Sequence, residues 1–184
     1  NAGAKAAGNA FVDLMDGVID QAAVLWFSSV VTTAQGMTMH RDLLHGAINA
    51  LPANGATAVW DGMYFGLLEL INNGVNPCRA MIVMTDGGDN SSSRSPAEII
   101  SLANRNRIRI FTIGLGSGIQ SEILKNIADL TGGVYYETPN PAQLTAIYEA
   151  IATNIFASFK ECIITYQATC TDGSFRKVDL SLIN

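Results

Sequence analysis

Two short segments carry the side chains best suited to chemistry. In Gly55-Ala56-Thr57-Ala58-Val59-Trp60-Asp61-Gly62, a hydroxyl follows a glycine-bearing loop at the start of a helical pattern. In Met84-Thr85-Asp86-Gly87-Gly88-Asp89-Asn90, a carboxylate stands directly past an apolar run. A hydroxyl and a carboxylate are hard oxygen donors, suited to Mg2+ or a similar cation. Both residues also have plainer uses, Thr57 as a helix N-cap and Asp86 as a turn residue with Gly87. Asp89, Asn90 and the serines from Ser91 onward continue a polar loop. Their position beside Asp86 makes Asp89, Asn90 and Ser91 candidate partner contacts.

Other chemistry finds less support. Gly114-Leu115-Gly116-Ser117-Gly118 has the look of a dinucleotide loop, but the third glycine of that fingerprint falls on Ile119. The same glycines serve a tight strand-to-helix turn. There is no Gly-x-x-x-x-Gly-Lys phosphate loop and no Gly-x-Ser-x-Gly elbow. His40 and His45 lie about one helical turn apart without a His-Glu-x-x-His pattern, and read as a surface or helix-end pair. The cysteines Cys78, Cys162 and Cys170 show neither Cys-x-x-Cys nor zinc spacing.

The elements that position the two segments follow from patterning. The 184 residues are 48% hydrophobic and 15% charged, enough apolar material for a sizeable core. A net charge of −5 without a basic patch argues against phosphate-backbone binding. No apolar run reaches the ~18–20 residues of a membrane span. Residues 22–28, 80–85 and 108–115 are continuous apolar runs, the mark of strands covered on both faces. Residues 30–35 read as a neighbour of the first strand across a tight turn, and 133–137 as a further strand. Helices are expected at 2–16, around Leu43–Leu51, at 58–72, from Ser95-Pro96, at 121–131 and at 141–156. Ser95-Pro96-Ala97-Glu98 combines a cap, a first-turn proline and the glutamate of a capping box. Asn140-Pro141-Ala142-Gln143 repeats that logic.

Strand–helix alternation with doubly covered strands predicts an α/β fold: a Rossmann-like, doubly wound, mostly parallel sheet flanked by helices. Ligands in such sheets bind beyond the carboxyl ends of the strands, which selects the loops 28–30, 86–95 and 114–120. The tail differs. Residues 159–168 and 174–182 alternate about Thr171-Asp172-Gly173, a hairpin signal. The expected organisation is a domain over 1–157 and an antiparallel β-hairpin annex over 158–184.

Taken in order, these segments resemble the von Willebrand factor A family. The resemblance is carried by Phe11-Val12-Asp13-Leu14-Met15, Leu25-Trp26-Phe27-Ser28 and the Gly-x-Thr-x-x-x-Asp-Gly segment. Met84-Thr85-Asp86-Gly87, Phe111-Thr112-Ile113-Gly114-Leu115-Gly116 and Thr131-Gly132-Gly133-x-Tyr135-Tyr136 continue it. It implies a domain with a metal-ion-dependent adhesion site, in which Thr57 matches the threonine ligand and Asp86 the second-loop aspartate. The cation would be Mg2+, or Mn2+ or Ca2+, and a carboxylate of a protein or peptide partner would complete its sphere. The family's Asp-x-Ser-x-Ser motif and the central strand that bears it are absent from 1–184. The chain begins at Asn1 rather than methionine. A complementing strand from upstream or from another chain is therefore expected, together with weak or no cation binding without it.

The annex resembles strands that follow the A domain in bacterial surface and secreted members, which would give Cys162 or Cys170 partners outside this chain. The resemblance thus implies a non-enzymatic adhesion module, extracellular or at the cell surface. Two alternatives remain: an assembly subunit with an unused metal site that accepts a strand, and a cytoplasmic domain serving a chelatase or ATPase.

Overall fold

The computed structural model of the protein describes residues 2–52, 57–116, 118–138 and 143–159, the last four by backbone alone. Its elements are α1 (Ala2–Leu14), β1 (Ala22–Phe27), β2 (Val31–Thr38), α2 (Arg41–Ala50), α3 (Val59–Asn73) and β3 (Arg79–Thr85). They continue as α4 (Pro96–Arg105), β4 (Ile108–Leu115), α5 (Ser121–Thr131), β5 (Tyr135–Thr138) and α6 (Leu144–Phe159). Each expected strand and helix up to Thr138 is present, with ends shifted by a few residues. Of the hairpin annex expected over 158–184, residues 158 and 159 instead belong to α6, and 160–184 lies outside the described residues, as do Cys162, Cys170 and 139–142 of the second capping pattern.

Local chemistry explains the element ends. Ser95 caps α4: its hydroxyl accepts from Glu98 N, and the Glu98 carboxylate accepts from Ser95 N at 2.8 Å. Pro96 stands at the first turn, where no N–H is required. Gly132 ends α5 in the left-handed region at φ 75°, which favours glycine. Gly133 follows where β5 starts against β4. A Cβ there would overlap the Ile110 carbonyl, so only glycine fits.

The sheet is divided where the resemblance places the absent central strand. Rather than one mostly parallel sheet, the strands form two. β3, β4 and β5 are parallel, while β1 pairs only with β2, antiparallel. β1 nonetheless runs in the direction of β3. Beside its start, Asn76 bonds Ile19 O at 2.8 Å and Val75 N bonds Gln21 at 3.1 Å. At its far end Ser28 O accepts from Ala58 N, next to the loop that follows β3.

The helices cover both faces. Trp60, Met63 and Leu67 of α3, Ile99 of α4 and Ile127 of α5 pack with Met81, Val83 and Ile110 on one side. On the other, Ala7 of α1 and Leu144 and Ile151 of α6 pack with Phe111 and Ile113. α1 also meets α2 through Val12, Met15, Leu44 and Ile48, against Ala22 and Val24.

Between β1 and β3 lies a cavity of about 680 Å3, lined by every residue of both strands. α1 roofs it with Ala4, Gly8 and Phe11, and α3 floors it with Gly62 and Gly66. This explains a second correction. β1, expected to be covered on both faces, is half-buried along its whole length, because its inner edge opens on the cavity. β4, with a strand on each side, has Ile110, Phe111, Thr112 and Ile113 fully buried.

Two glycines should respond oppositely to alanine. At Gly133 the overlap with Ile110 predicts a loss of about 3 kcal/mol, as for severe overpacking. At Gly46, inside α2, a Cβ meets nothing within 4 Å. Gly46→Ala should therefore stabilise by about 0.5–1 kcal/mol through helix propensity. Urea denaturation checks both. The α4 cap predicts a pH effect. Bonds from the Ser95 backbone and hydroxyl hold the Glu98 carboxyl below its ordinary 4.5. Because the folded-state value is depressed, its stabilisation is fully present above the ordinary value and lost as pH falls through the folded one. Thermal melts of the wild type and Glu98→Gln should differ at about pH 7 and converge as pH falls through the depressed folded-state value.

Candidate functional site

The three loops selected from the sequence meet at one edge of the strands. The first contact joins β1 to α3, through Ala58 N and Ser28 O at 2.7 Å. The second joins α3 to the loop after β3: Thr57 N donates to Asn90 Oδ1 at 3.1 Å and Asn90 N to Thr57 O at 3.0 Å. The third joins that loop to the one after β4, Asp89 N donating to Gln120 Oε1 at 3.2 Å. A Cβ on Gly88 would touch Gln120 and Gly118 O at 3.4 Å.

The first turn of α3 leaves N–H groups without helical partners. Its N-cap is Ala58, which has no side chain for the task. Asp89 supplies it from across the loop, its carboxylate accepting from Val59 N at 2.7 Å and Trp60 N at 3.4 Å. A carboxylate there also complements the positive end of the helix dipole. Asp61 acts in return: its carboxylate accepts from Ser93 N at 3.1 Å and Arg94 N at 2.9 Å. Ser92 closes the circuit, donating to Asp89 and accepting from Asp61 N at 3.0 Å. Arg94 lies over the Tyr64 ring at 4.1 Å, anchoring the loop's far end on α3.

These bonds separate the candidates. The plain use of Thr57, as the cap of α3, is taken by Asp89. The plain use of Asp86, as a turn residue, is taken by Thr85, whose hydroxyl donates to Gly87 O at 2.8 Å and accepts from Gly87 N at 3.2 Å. Among the described residues, no side chain bonds the Thr57 hydroxyl or the Asp86 carboxylate. The two segments are adjacent, since a Cβ on Gly87 would lie 3.3 Å from Thr57 Oγ1. Asp86 is exposed. Asp89 and Asn90, by contrast, are used in holding the loop to α3, and Ser91 donates to Asn90 Oδ1 at 2.7 Å.

Asp61 and Gln120 were not singled out from the sequence. Asp61 stood within the Gly-x-Thr-x-x-x-Asp-Gly segment, and that was its only signal. Gln120 had none, because its partner is 31 residues away. His45 takes no part. It bridges α2 to α1, Nδ1 lying 2.7 Å from Asn9 Oδ1 and Nε2 3.1 Å from Asp13. Among the glycines at 114–118, Gly114 has a packing role, since a Cβ there would collide with Ile119, and Gly116 takes a positive φ of 85°.

A hydroxyl and a carboxylate on two adjacent segments at a strand edge fit a divalent cation in chemical type. They fall short in number: Mg2+ takes six oxygens. No group of three or more His, Cys, Asp or Glu side chains that could hold a metal exists among the described residues. Thr57 and Asp86 also line the upper end of the cavity between β1 and β3. The site and the slot are therefore continuous.

Comparison with known proteins gives a consistent picture. The family model of the von Willebrand factor type A domain matches residues 4–150. Comparison with curated proteins finds no match. Among solved structures, a von Willebrand factor type A protein from Catenulispora acidiphila superposes with TM-score 0.72 at 22% identity, over 84% of this chain and 38% of its own. Proximal thread matrix protein 1 from the mussel byssus gives 0.72 at 27%, over 84% of this chain and 40% of its own. Another structure of that mussel protein, with a zinc-occupied MIDAS motif, gives 0.72 at 26%, over 85% and 40%. This chain thus spans about two fifths of the length of these relatives.

Asp89→Ala should remove the cap from α3 and loosen the contact between the two segments, costing about 1–2 kcal/mol. Asp89→Asn, which keeps an acceptor, should recover most of it. Urea midpoints of the three proteins check this, and equal midpoints would show that the cap contributes nothing.

Proposed function

Because the chain belongs to the von Willebrand factor type A domain family, whose members are in general non-enzymatic interaction modules, we propose that it is a protein-binding, adhesive module acting through a divalent cation. The observation that carries this reading is that Thr57 and Asp86, on adjacent segments at the strand edge, have no side-chain bond among the described residues while neighbouring residues do the capping and turning. The Thr57 hydroxyl and the Asp86 carboxylate would hold Mg2+, Mn2+ or Ca2+ together with oxygens from outside the described residues. The cation would supply positive charge for a carboxylate of a protein or peptide partner. The zinc-occupied motif of the mussel relative supports a divalent ion at this kind of site. Asp89, Asn90 and Ser91 form the adjoining rim, with Ser91 the outermost of the three in its bonding.

An extracellular or cell-surface location fits this role, and the mussel relative is a thread matrix protein of the byssus. No helix among the described residues is long and apolar enough to cross a membrane. A domain over 1–157 with an annex over 158–184 remains the organisation we favour. One observation supports a second reading, an assembly subunit that accepts a strand: the open slot between β1 and β3.

Mn2+ titration of the complete natural polypeptide tests the leading reading. Thr57→Ala and Asp86→Ala should each weaken Mn2+ binding at least about tenfold, or about 1.4 kcal/mol, with unchanged thermal midpoints in EDTA. Wild-type Mn2+ affinity in both variants would refute the site.

A further inference from the structure

We infer that Asn90 is a positioning residue of the candidate cation site: it fixes the main chain of Thr57 against the loop that carries Asp86, and its side-chain oxygen is committed to that task rather than to a partner or the ion. The inference rests on the cation reading of Thr57 and Asp86 and assigns the residue that sets the relation between them.

Three observations carry it. The first is where Thr57 sits. α3 begins at Val59 with Ala58 as its N-cap, so Thr57 precedes the helix and belongs to no strand. Neither a helical nor a ladder bond places its main chain. Instead its N–H donates to Asn90 Oδ1 at 3.1 Å, and its C=O accepts from Asn90 N at 3.0 Å. Both polar groups of the Thr57 main chain thus end on one residue. Two bonds to a single partner set orientation as well as distance, and the Thr57 hydroxyl is one side-chain rotation away from the chain so fixed.

The second is the capacity of the carboxamide. Its oxygen has two lone pairs. Thr57 N–H takes one, and the Ser91 hydroxyl donates to the other at 2.7 Å. The orientation of the amide is forced, because a main-chain N–H only donates and the atom facing it must be the oxygen. An ion or a partner's donor at Oδ1 would have to displace one of these bonds. Exposure of Asn90 therefore does not make that oxygen available.

The third is the footing of Asn90 itself. On one side Asp89 accepts from Val59 N at 2.7 Å and donates its own N–H to Gln120 at 3.2 Å. On the other, Ser93 N and Arg94 N donate to the Asp61 carboxylate at 3.1 and 2.9 Å. Asn90 is held to α3 from both flanks. Asp86 opens the same loop, and the next residue, Gly87, lies against Thr57, where a Cβ would come within 3.3 Å of Oγ1. The path from Asp86 through the loop to Asn90 and across to Thr57 is thus closed. Removing Asp89 would uncap α3 as well; removing the Asn90 side chain alters the placement of Thr57 and leaves the cap in place.

The test compares wild type, Asn90→Ala and Asn90→Asp in the complete natural polypeptide. Two quantities are read with no partner present: Mn2+ affinity, and, in EDTA, amide exchange at Thr57 with the buried Leu67 of α3 as internal reference. Asn90→Ala deletes the acceptor. It should weaken Mn2+ binding about tenfold and speed Thr57 exchange about tenfold, with Leu67 unchanged. Asn90→Asp keeps an oxygen at the same reach. It should restore slow Thr57 exchange and bind Mn2+ at least as well as wild type, since its charge favours a nearby cation. A residue that only touched a partner would move neither quantity in the partner's absence. One that only stabilised the fold would move Leu67 together with Thr57. Should Asn90→Ala fail to fold, Asn90→Gln, which displaces the same amide by one methylene, takes its place with the same expectations. Wild-type Mn2+ affinity in the alanine variant, unaltered Thr57 exchange, Leu67 moving with Thr57, or an aspartate variant that restores neither quantity overturns the inference. Failure of the cation reading looks different: the wild type itself binds no Mn2+, and the positioning role falls with the site it would serve.

Discussion

A strand in the interior of a sheet must bond along both edges, and between β1 and β3 the described residues supply nothing to bond to. Each buried N–H or C=O left without a partner costs about 1–3 kcal/mol, so a strand-length edge is a large deficit for a domain of marginal stability. The rest of the architecture is arranged around that gap. α1 and α3 keep their places above and below it and line it with glycine and alanine. β1 and β3 keep a common direction although neither touches the other. The half-burial of β1 throughout its length reports the missing neighbour residue by residue.

The upper edge of the strands is, by contrast, fully engaged. The three loops are bonded in series, from Ser28 through Ala58 and Thr57 to Asn90, and from Asp89 to Gln120. The charged and polar groups there divide their work. Asp89 caps α3 and Asp61 receives the N–H groups of Ser93 and Arg94. Thr85 forms the turn after β3. Among the described residues, the Thr57 hydroxyl and the Asp86 carboxylate are left without a side-chain bond.

The sequence was most legible where causes are local. The Ser95 capping box, the stop at Gly132 and the apolar runs of β3 and β4 each act within one element, and each could be read from a few adjacent residues. Resemblance added the juxtaposition of Thr57 with Asp86, which neither segment reveals by itself. What escaped was long-range. Asp89 reads as a loop aspartate, yet it caps a helix 30 residues away in the chain. The division of the sheet was legible only through the resemblance, whose central strand is absent from 1–184, because an apolar run reports that a strand is meant to be covered, not whether its neighbour is present. β1 carries the composition of an interior strand and the exposure of an edge one, and that contradiction marks the slot.

The slot and the candidate site are two ends of one feature. Asp86 follows directly from β3 and Thr57 sits beside the end of β1, and both line the cavity's upper end. A strand running parallel to β1 and β3 would finish at that end, bringing its last residues next to the two unbonded oxygens. The shortage of oxygen ligands at the site and the shortage of backbone partners in the slot can therefore be met by the same segment. Two ligands that meet in this way are linked thermodynamically. Whatever the strand adds to cation affinity, the cation adds to strand affinity by the same factor. A strand ending in oxygen-bearing residues would make that factor favourable, and one ending in lysine or arginine would oppose the cation at close range.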